Sequence, residues 1–353
     1  LTASLTRPLG TPANGTYWLD TSLSTWGMFE WNATTETFNL QTPIIITDTT
    51  DTVGGDGSDQ IADATPLTTI GSIGDYAVSA VNEHAFVYYK RSYPTTPATT
   101  GWVQVGSDGW KTAWPTVAGT NSVSTLTTGY NLIINGSTVS VGDGGNPSTV
   151  TGYAESINDA AITGVTASVV SGQLYIYADS TAGTDGSTLN SDGFIEIQPG
   201  PNSGNSLLTT LGITASQYPA PEYFPGYSYQ QPKWISGANI DPLNARPTGS
   251  IWQNMSSANN GLQLVVKQYS AALGTWIAQS CPAYETDTYA LYGLDPTGGG
   301  KNIPAGTTYA EYTSFSWDTI IPTAAFTIQE RLTAGATIIT GTTVPAATDP
   351  TPF

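Results

Sequence analysis

Two widely separated stretches of this sequence repeat the same order of aromatic, amide and acidic residues, and an internal repeat constrains a fold more than any other sequence feature. The first stretch opens with Gly15-Thr16-Tyr17-Trp18 and the second opens with Gly249-Ser250-Ile251-Trp252. Each stretch continues into two aromatic residues with the same separation, Trp31 and Phe38 in the first and Tyr269 and Trp276 in the second. The chain is therefore expected to contain at least two related modules.

A weaker third copy starts at Gly74-Asp75-Tyr76 and reaches Trp102 after an insertion. In all three copies, aromatic and β-branched residues form short runs bounded by Gly, Asn, Pro and Ser, which is typical of strands joined by turns. We predict that each copy is a small β-meander whose aromatic residues are mainly core residues. Residues ~12–48 and ~246–287 should superpose, with Trp18 matching Trp252 and Trp31 matching Tyr269.

Residues 116–217 interrupt the repeat with a pattern of their own. Asn135-Gly136 lies between two β-like runs and favours the positive φ angles of a tight hairpin turn, and Ser171-Gly172 lies between two further runs that predict another hairpin. Helical spacing predicts a helix over roughly 148–160, capped by Ser148. The core face of this helix is expected to consist of Val150, Tyr153, Ala154 and Ile157. A short helical turn is predicted at Leu207–Gly212, and together these elements predict an α+β domain.

This α+β segment resembles the "hook IN" motif of flagellins and flagellar cap proteins. The resemblance rests on the order of the Asn135-Gly136 hairpin, the helix ending at Ile157-Asn158, the run from Ile162 to Ser168, Gly172-Gln173-Leu174, and Leu207 to Ile213. It covers under a third of the chain and implies a surface domain of a helical or tubular assembly. The flanking segments around Trp18 and Trp252 are similar to stretches of marine phage virion proteins, including tail sheaths and fibres, although no α/β sheath core is visible.

The predicted fold class is mainly β, with repeated small β-meander or sandwich modules and one inserted α+β domain. The expected division is residues 1–60 for β module 1, 61–115 for β module 2, 116–217 for the hook-IN-like domain, 218–290 for β module 3 and 291–353 for a C-terminal β segment. The chain begins at Leu1, and we expect it to be part of a longer polypeptide.

Charge is the compositional feature that bears on function. Charged residues make up 10% of the sequence, against roughly 25% in an ordinary soluble protein. Because charges are costly to desolvate, a neutral polar surface suits a subunit that is buried among neighbours. The formal net charge of −18 disfavours nucleic acid and anionic membranes as partners. Cys281, the single cysteine, excludes an internal disulfide and is expected to be a small core residue.

Residues that could support catalysis are few. His84 is the single histidine, so a Ser/His/Asp triad would have to use it. The glycine-rich run Gly142-Asp143-Gly144-Gly145 lacks the lysine of a phosphate-binding loop. Glycoside cleavage needs two carboxylates at a fixed separation, which the sequence alone cannot assign to Glu30, Glu155, Glu196, Glu222 or Glu330. We therefore predict no catalytic residue and no enzyme activity.

Two acidic loops were considered as cation sites. Oxygen ligands suitable for a hard cation occur at Asp48, Asp51, Asp56, Asp59 and Asp63, but their spacing does not match an EF-hand loop. A solvated connecting loop is the favoured interpretation. The segment from Asp295 to Lys301 is expected to be a flexible turn. We predict no metal and no cofactor.

These features favour a non-enzymatic structural subunit of a tailed-phage virion, contributing surface-exposed domains of a sheath, fibre or baseplate protein. Its expected location is the virion, and its expected partners are copies of itself and other tail proteins. The alternatives are a glycan-binding adhesion module, a head decoration protein and a tail-associated depolymerase. Aromatic residues that are all buried would favour the scaffold, whereas a solvent-exposed aromatic patch would favour adhesion. The Tyr-rich segment from Tyr218 to Tyr229 is expected to contact neighbouring subunits.

Overall fold

The structure is a computed structural model that describes residues 1–32, 34–48, 52, 65–81, 84–93, 99–179, 181–183, 194–225, 235–236, 239–240, 248–254, 261–284, 287–313, 325–333 and 336–339. This part of the chain is mainly β, as the sequence predicts. Its helices are α1 (Asp108–Lys111), α2 (Val150–Asp159), α3 (Gly204–Leu211) and α4 (Asp287–Leu294).

The strands before residue 220 are β1 (Thr2–Ser4), β2 (Tyr17–Asp20), β3 (Thr25–Trp26), β4 (Met28–Asn32), β5 (Thr37–Leu40), β6 (Ile44–Ile46), β7 (Tyr76–Ser79), β8 (His84–Tyr93), β9 (Thr99–Gln104), β10 (Val117–Ala118), β11 (Asn131–Ile134), β12 (Ser137–Ser140), β13 (Val165–Val170), β14 (Gln173–Ala178), β15 (Phe194–Pro199) and β16 (Ser216–Pro219). The later strands are β17 (Tyr223–Pro225), β18 (Ile235–Ser236), β19 (Asn239–Ile240), β20 (Ile251–Gln253), β21 (Leu262–Gln263), β22 (Val266–Ser270), β23 (Thr275–Gln279), β24 (Ala283–Tyr284), β25 (Thr308–Thr313), β26 (Ala325–Thr333) and β27 (Ala336–Ile339).

Four segments share one arrangement of strands, and we call them units 1 to 4. Each unit begins with a leading strand, which pairs in parallel with a second strand that we call the repeat strand. A two-stranded hairpin follows the repeat strand in the sequence. Unit 1 consists of β1, β2 and the hairpin β4–β5, and unit 2 consists of β6, β7 and β8–β9. Unit 3 consists of β17, β20 and β22–β23, and unit 4 consists of β24, β25 and β26–β27.

A glycine with positive φ opens the repeat strand of every unit. The four glycines are Gly15, Gly74, Gly249 and Gly306, with φ values of 85°, 95°, 100° and 83°. The N–H of each glycine donates to the carbonyl of one residue in a hairpin. The N–H of the same hairpin residue donates to the carbonyl of the residue that follows the glycine. All eight N···O distances are between 2.6 and 3.0 Å. We call this hairpin residue the clamp position. It is held by Trp31, Lys90, Tyr269 and Arg331.

Units 1 and 3 exchange their hairpins. Gly15 of unit 1 bonds to the clamp residue Tyr269 of unit 3, and Gly249 of unit 3 bonds to the clamp residue Trp31 of unit 1. The registers are equivalent, because Trp18 lies opposite Lys267 and Trp252 lies opposite Phe29. The predicted matches of Trp18 with Trp252 and of Trp31 with Tyr269 are confirmed in strand register. The pairing differs from a simple meander in that neither unit completes its sheet alone.

Units 2 and 4 pair with themselves. β7 lies beside β8 of its own unit, and β25 lies beside β26 of its own unit. β8 and β26 then pair antiparallel, which joins both units into one eight-stranded sheet. Unit 4 is a fourth copy of the unit, in a region where the sequence predicts only a C-terminal β segment. Strand pairing crosses the predicted boundaries at 60 and 290, because β6 belongs with β7 and β24 belongs with β25.

All four units contribute to one shared core. Its buried residues include Met28 of unit 1, Val78 of unit 2, Ile251 of unit 3 and Ala310 of unit 4. Such a core removes a large apolar area from water, and each fully buried aliphatic or aromatic side chain contributes roughly 1.5–3 kcal/mol. The four units therefore stabilise one another.

A second core lies between Val117 and Ala220, and its buried residues all belong to this segment. Its strands form a three-stranded sheet, β10-β14-β13, and a four-stranded sheet, β12-β11-β15-β16. The positive φ angles predicted for Asn135-Gly136 are confirmed, and both residues of the second hairpin turn, Ser171-Gly172, also have positive φ. Arg91 of unit 2 contacts the connection that leads into this segment, since its guanidinium donates to Thr112 Oγ1 at 2.8 Å, just after α1.

The predicted helix is confirmed as α2, and Val150, Tyr153, Ala154 and Ile157 are all buried. Its cap differs from the prediction by one residue. Thr149 Oγ1 accepts a hydrogen bond from the Gly152 N–H at 3.0 Å, whereas the Ser148 hydroxyl bonds to the Thr128 hydroxyl at 2.6 Å. The helical turn predicted at Leu207–Gly212 is the end of α3, where Gly212 has the positive φ of a C-terminal cap.

Candidate functional site

A carboxyl–phenol pair connects unit 1 to unit 2. Tyr76 Oη donates to Glu30 Oε2 at 2.5 Å, and Tyr76 lies in the shared core. Burial raises the pKa of Glu30, although the hydrogen bond from Tyr76 lowers it in part. Burial and then the charge of Glu30 raise the pKa of the neighbouring Tyr89 to about 12. Among the described residues, Tyr76 is the side-chain hydrogen-bond partner of Glu30, so the contact joins a carboxyl group to a phenol.

The clamp positions of units 2 and 4 hold buried cations. Lys90 Nζ donates to the carbonyl oxygens of Thr68, Ile70 and Gly71 at 2.5–2.8 Å and lies 5.6 Å from the centre of the Trp102 ring. Arg331 is 1% exposed, and its three guanidinium nitrogens have no hydrogen-bond partner among the residues that the structure describes. Burial lowers the pKa of Arg331. The two cations therefore occupy equivalent positions with very different degrees of hydrogen bonding.

A salt bridge joins units 1 and 3. Lys267 Nζ lies 2.7 Å from Asp20 Oδ2 and 4.6 Å from the centre of the Trp18 ring. Burial acts to raise the pKa of Asp20, but the hydrogen bonds from Lys267 and Ser22 outweigh it, and the pKa lies below its ordinary value. The contact is structural, since both charges are satisfied by each other and by neighbouring side chains.

The structure does not assemble the residues considered for catalysis or metal binding. His84 is the first residue of β8, opposite Thr327, and its side chain lies outside the described residues. Of the acidic loop only Asp48 is described, and Asp51, Asp56, Asp59 and Asp63 lie outside the described residues. Within the described ranges no cluster of three or more His, Cys, Asp or Glu residues could hold a metal ion.

The single thiol has the character of a core residue. Cys281 packs against the shared core, and burial raises its pKa to about 12. Thiolate is the reactive form of cysteine, so a raised pKa makes the side chain inert at neutral pH. The expectation of a small core residue agrees with this environment.

The five glutamates that were considered lie on different elements. Glu30 is in β4, Glu155 in α2, Glu196 in β15 and Glu330 in β26, while Glu222 is buried next to β17. The glycine-rich run forms a tight turn in which Asp143 accepts the N–H of Ser140 at 2.7 Å. The predicted turn after Asp295 is internally hydrogen-bonded rather than simply flexible, because the Asp295 carboxylate accepts N–H groups from Gly298 and Asn302.

Tryptophan burial separates the scaffold hypothesis from the adhesion hypothesis. Six of the described tryptophans are at most 7% exposed, namely Trp18, Trp26, Trp31, Trp102, Trp110 and Trp252. Trp114 and Trp276 are half-buried. Several of these rings pack against one another, as Trp18 does edge-to-face against Trp276 with centroids 5.6 Å apart. The rings are therefore used mainly for packing and leave no broad tryptophan face for a sugar in the described residues.

The exposed apolar residues lie elsewhere. Leu40 of β5 is 56% exposed and Ile277 of β23 is 40% exposed, and both are on outer strands of their sheets. Tyr289 and Tyr292 of α4 are 41% and 38% exposed. Tyr218 is half-buried and donates to the Thr214 carbonyl at 2.6 Å, whereas residues 226–229 of the Tyr-rich segment lie outside the described residues.

Among the described residues, no helix is long and apolar enough to cross a membrane. No protein-family model, curated protein or solved structure matches this chain.

Sequence reasoning missed the fourth unit and the cations at the clamp position. One signal was present: Gly306-Thr307-Thr308-Tyr309 resembles the opening of the other copies. Lys90 and Arg331 carried no such signal, because their equivalents in units 1 and 3 are aromatic. The Glu30–Tyr76 contact depends on how unit 1 packs on unit 2, which a linear pattern does not encode.

Proposed function

We propose that this chain is a non-enzymatic structural subunit of a tailed-phage virion that contributes surface-exposed β domains to a tail protein. The observation that carries the proposal is the use of one β unit four times around a shared core, with its aromatic residues directed to packing. A body of this kind presents neutral strands and turns for contact with neighbours. The resemblance of residues 116–217 to the hook IN motif of tubular assemblies supports the same class.

The low content of charged residues supports this proposal independently. A surface rich in Thr, Ser, Gly and Asn can be buried against a partner without desolvating many ions. The chain carries a formal net charge of −18, so contacts between copies are expected to occur where charge is locally absent. Such contacts depend on shape and hydrogen bonding and should persist in high salt.

The proposal is tested by locating the chain. An antibody raised against the purified chain should label the tails of particles from the virus that encodes it, in negatively stained micrographs. Particles should retain the chain after exposure to ~1 M salt, at which the Debye length falls to about 3 Å. Labelling of heads alone would favour a decoration protein, and labelling of host cells without particles would contradict the proposal.

The absence of catalysis is tested with His84→Ala. Because His84 is the single histidine, a Ser/His/Asp hydrolase would lose most of its activity on this substitution. We expect infectivity and glycan turnover of particles carrying the variant to equal those of the unmodified particles. A large loss of turnover by a folded variant would favour a depolymerase.

Glycan binding is the remaining alternative and is tested separately. Purified chain applied to an array of bacterial surface polysaccharides should show no selective retention. Selective binding of one polysaccharide, abolished by alanine at Tyr289 and Tyr292 together, would show that the adhesion module is the better description.

A further inference from the structure

The hairpins of units 1 and 3 each end a sheet. In the part of the chain that the structure describes, β5 pairs on one side with β4, and β23 pairs on one side with β22. These two strands occupy equivalent places in the repeat, because Asn39 lies opposite Glu30 and Ile277 lies opposite Gln268. The molecule therefore presents the same kind of strand at two separate edges.

The hydrogen bonds between β4 and β5 and between β22 and β23 determine which backbone N–H and carbonyl groups point outward from these two edges. The backbone N–H and carbonyl of Trp31 bond to unit 3. Because these groups alternate in direction along a strand, the backbone groups of Met28 and Glu30 point to β5. The bond from the Gln41 N–H to the Met28 carbonyl agrees with this direction. Asn39, opposite Glu30, thus faces inward and Leu40 faces outward. The same argument at the clamp residue Tyr269 makes Trp276 and Ala278 face outward in β23.

Neither edge has the protection usual for a solvent-exposed strand. Exposed edges normally carry lysine, proline, an inward charge or a bulge to prevent pairing with other chains. Thr37–Leu40 and Thr275–Gln279 contain no charged residue and no proline, although the chain as a whole carries a formal net charge of −18. Leu40 and Ile277 are largely exposed on these strands.

We propose that β5 of one copy of this chain pairs antiparallel with β23 of a second copy, with Asn39 opposite Ile277 and Leu40 opposite Trp276. A second copy is the fitting occupant because it supplies an equivalent uncharged strand, and two like-charged chains can approach closely only where charge is locally absent. This register places the outward-facing groups of Leu40 and Trp276 opposite each other. It also sets the exposed Leu40 side chain beside the Trp276 ring.

The pairing is heterologous and therefore continues. When β5 of one copy is joined to β23 of the next, each pair leaves one β5 and one β23 open, which generates a ring or a helical filament. This inference deepens the proposed function, because tubular tails are built from repeated contacts of this kind. It can fail while the proposed function stands, since a tail subunit could assemble through other surfaces.

The test uses full-length chains that each carry one added cysteine besides the native Cys281. Asn39→Cys and Ile277→Cys chains are mixed at high concentration, oxidised, and separated on a non-reducing gel, with the disulfide sites identified by mass spectrometry. Asn39 and Ile277 would form a pair without backbone hydrogen bonds, in which the Cβ atoms lie close enough for a disulfide. The unmodified chain is the background control, and Ser206→Cys, at an exposed position on α3, replaces Ile277→Cys as the matched control.

We expect a disulfide between the two substituted positions in the mixture, several times more abundant than with the Ser206→Cys control. Disulfides only between identical chains, or no excess over the control, would overturn the proposal. As a second measurement, Ala278→Lys should weaken self-association in sedimentation velocity by at least about tenfold, while Ser206→Lys should leave it unchanged. Equal association of both lysine variants, or a chain that stays monomeric at every concentration, would also overturn it. If such a chain were nevertheless found in tails, the proposed function would survive this failure.

Discussion

Units 1 and 3 exchange their hairpins, whereas units 2 and 4 keep theirs, although all four share the same glycine turn and the same clamp bonds. Units 1 and 2 even have the same separation between the glycine and the clamp residue of their own hairpin, from Gly15 to Trp31 and from Gly74 to Lys90. The local repeat is thus compatible with either pairing. The partner must be selected by the segment between the strand and the hairpin, and by what packs around it.

Gly27 marks the place where this selection is made in unit 1. It has a φ of 56°, and a Cβ atom at this position would lie 2.4 Å from the Asn254 carbonyl oxygen and 2.6 Å from the backbone of Gly261 and Leu262. The chain of unit 1 therefore crosses unit 3 at backbone contact. In unit 2, by contrast, β7 ends at Ser79 and pairs antiparallel with β8 of the same unit, which begins at His84.

The residues at the clamp position also differ between the exchanged and the self-paired units in how they stabilise the fold. Trp31 and Tyr269 fill the exchanged pair with buried rings, whereas Lys90 and Arg331 place cations in equivalent positions. A buried ring gains free energy by leaving water, but a buried cation stabilises the fold only when its hydrogen bonds are made. In the described part of the chain, the Lys90 side chain makes three such bonds and the Arg331 side chain makes none.

Alanine at Gly27 should have the largest effect on this comparison. The substitution should destabilise the fold by about 3 kcal/mol or more, because a Cβ atom would displace the backbone of unit 3 in addition to straining a positive φ. Gly274→Ala is the matched control: Gly274 also has positive φ, but no atom lies within 4 Å of the added carbon. Its cost should be about 1–2 kcal/mol, from backbone strain alone. Urea denaturation gives both values, and equal costs would contradict a backbone crossing at Gly27.

Substitution of the two buried cations by methionine should change the free energy of unfolding in opposite directions. Lys90→Met should cost about 2–3 kcal/mol, because three carbonyl groups lose a charged donor inside the protein. Arg331→Met should be neutral or stabilising, since it removes a buried charge that has no hydrogen-bond partner. Chemical denaturation of the two variants under identical conditions measures the difference. Similar destabilisation by both variants would mean that Arg331 is satisfied in solution by a group such as water.

The smallest expected effect concerns Glu30, whose equivalent in unit 3 is Gln268. Because the folded-state pKa of Glu30 is raised above its ordinary value of 4.5, its contribution is fully present below that pH and is lost as pH rises through the folded pKa. Asp20 has the opposite sign, since its pKa is lowered and its contribution is lost as pH falls. Glu30→Gln should reduce the decline in stability above pH 4.5 by on the order of 1 kcal/mol, the size of a single hydrogen bond.

Stability measured from about pH 2 to pH 8 for both proteins checks this prediction. Asp20→Asn is the matched control, and it should alter the acid side of the profile while leaving the decline through the Glu30 titration unchanged. Superimposable profiles of Glu30→Gln and the unmodified chain would show that Glu30 titrates normally in the fold.

The sequence predicts most of the individual strands and helices of this fold, but not all of the pairings between the strands. Strand registers inside the hairpins, the face of α2 and the two positive-φ turns depend on neighbours within about ten residues, where periodicity and turn chemistry are informative. The exchange between units 1 and 3 joins residues more than 200 positions apart, such as Tyr17 and Gln268. No local propensity distinguishes that pairing from a meander, so the sequence reading could not choose between them.

The candidate surfaces were even less accessible to sequence reasoning. The expectation that most aromatic residues pack in the interior is confirmed for the six buried tryptophans. The burial of Lys90, however, is not predicted by the sequence around it and is evident only from the three carbonyl groups that surround its ammonium group. The open edges at β5 and β23 likewise follow from sheet order, which depends on the exchange.

The most direct measurement of the exchange is a disulfide across its centre. Thr25 of β3 lies opposite Gln263 of β21, at the point where units 1 and 3 meet. In a chain with both Thr25→Cys and Gln263→Cys, dilute oxidation should close a disulfide within one molecule, and the product should sediment as the unmodified monomer does. The closed loop should raise resistance to denaturant. Failure of the two thiols to react with each other in the folded, dilute chain would contradict the hairpin exchange.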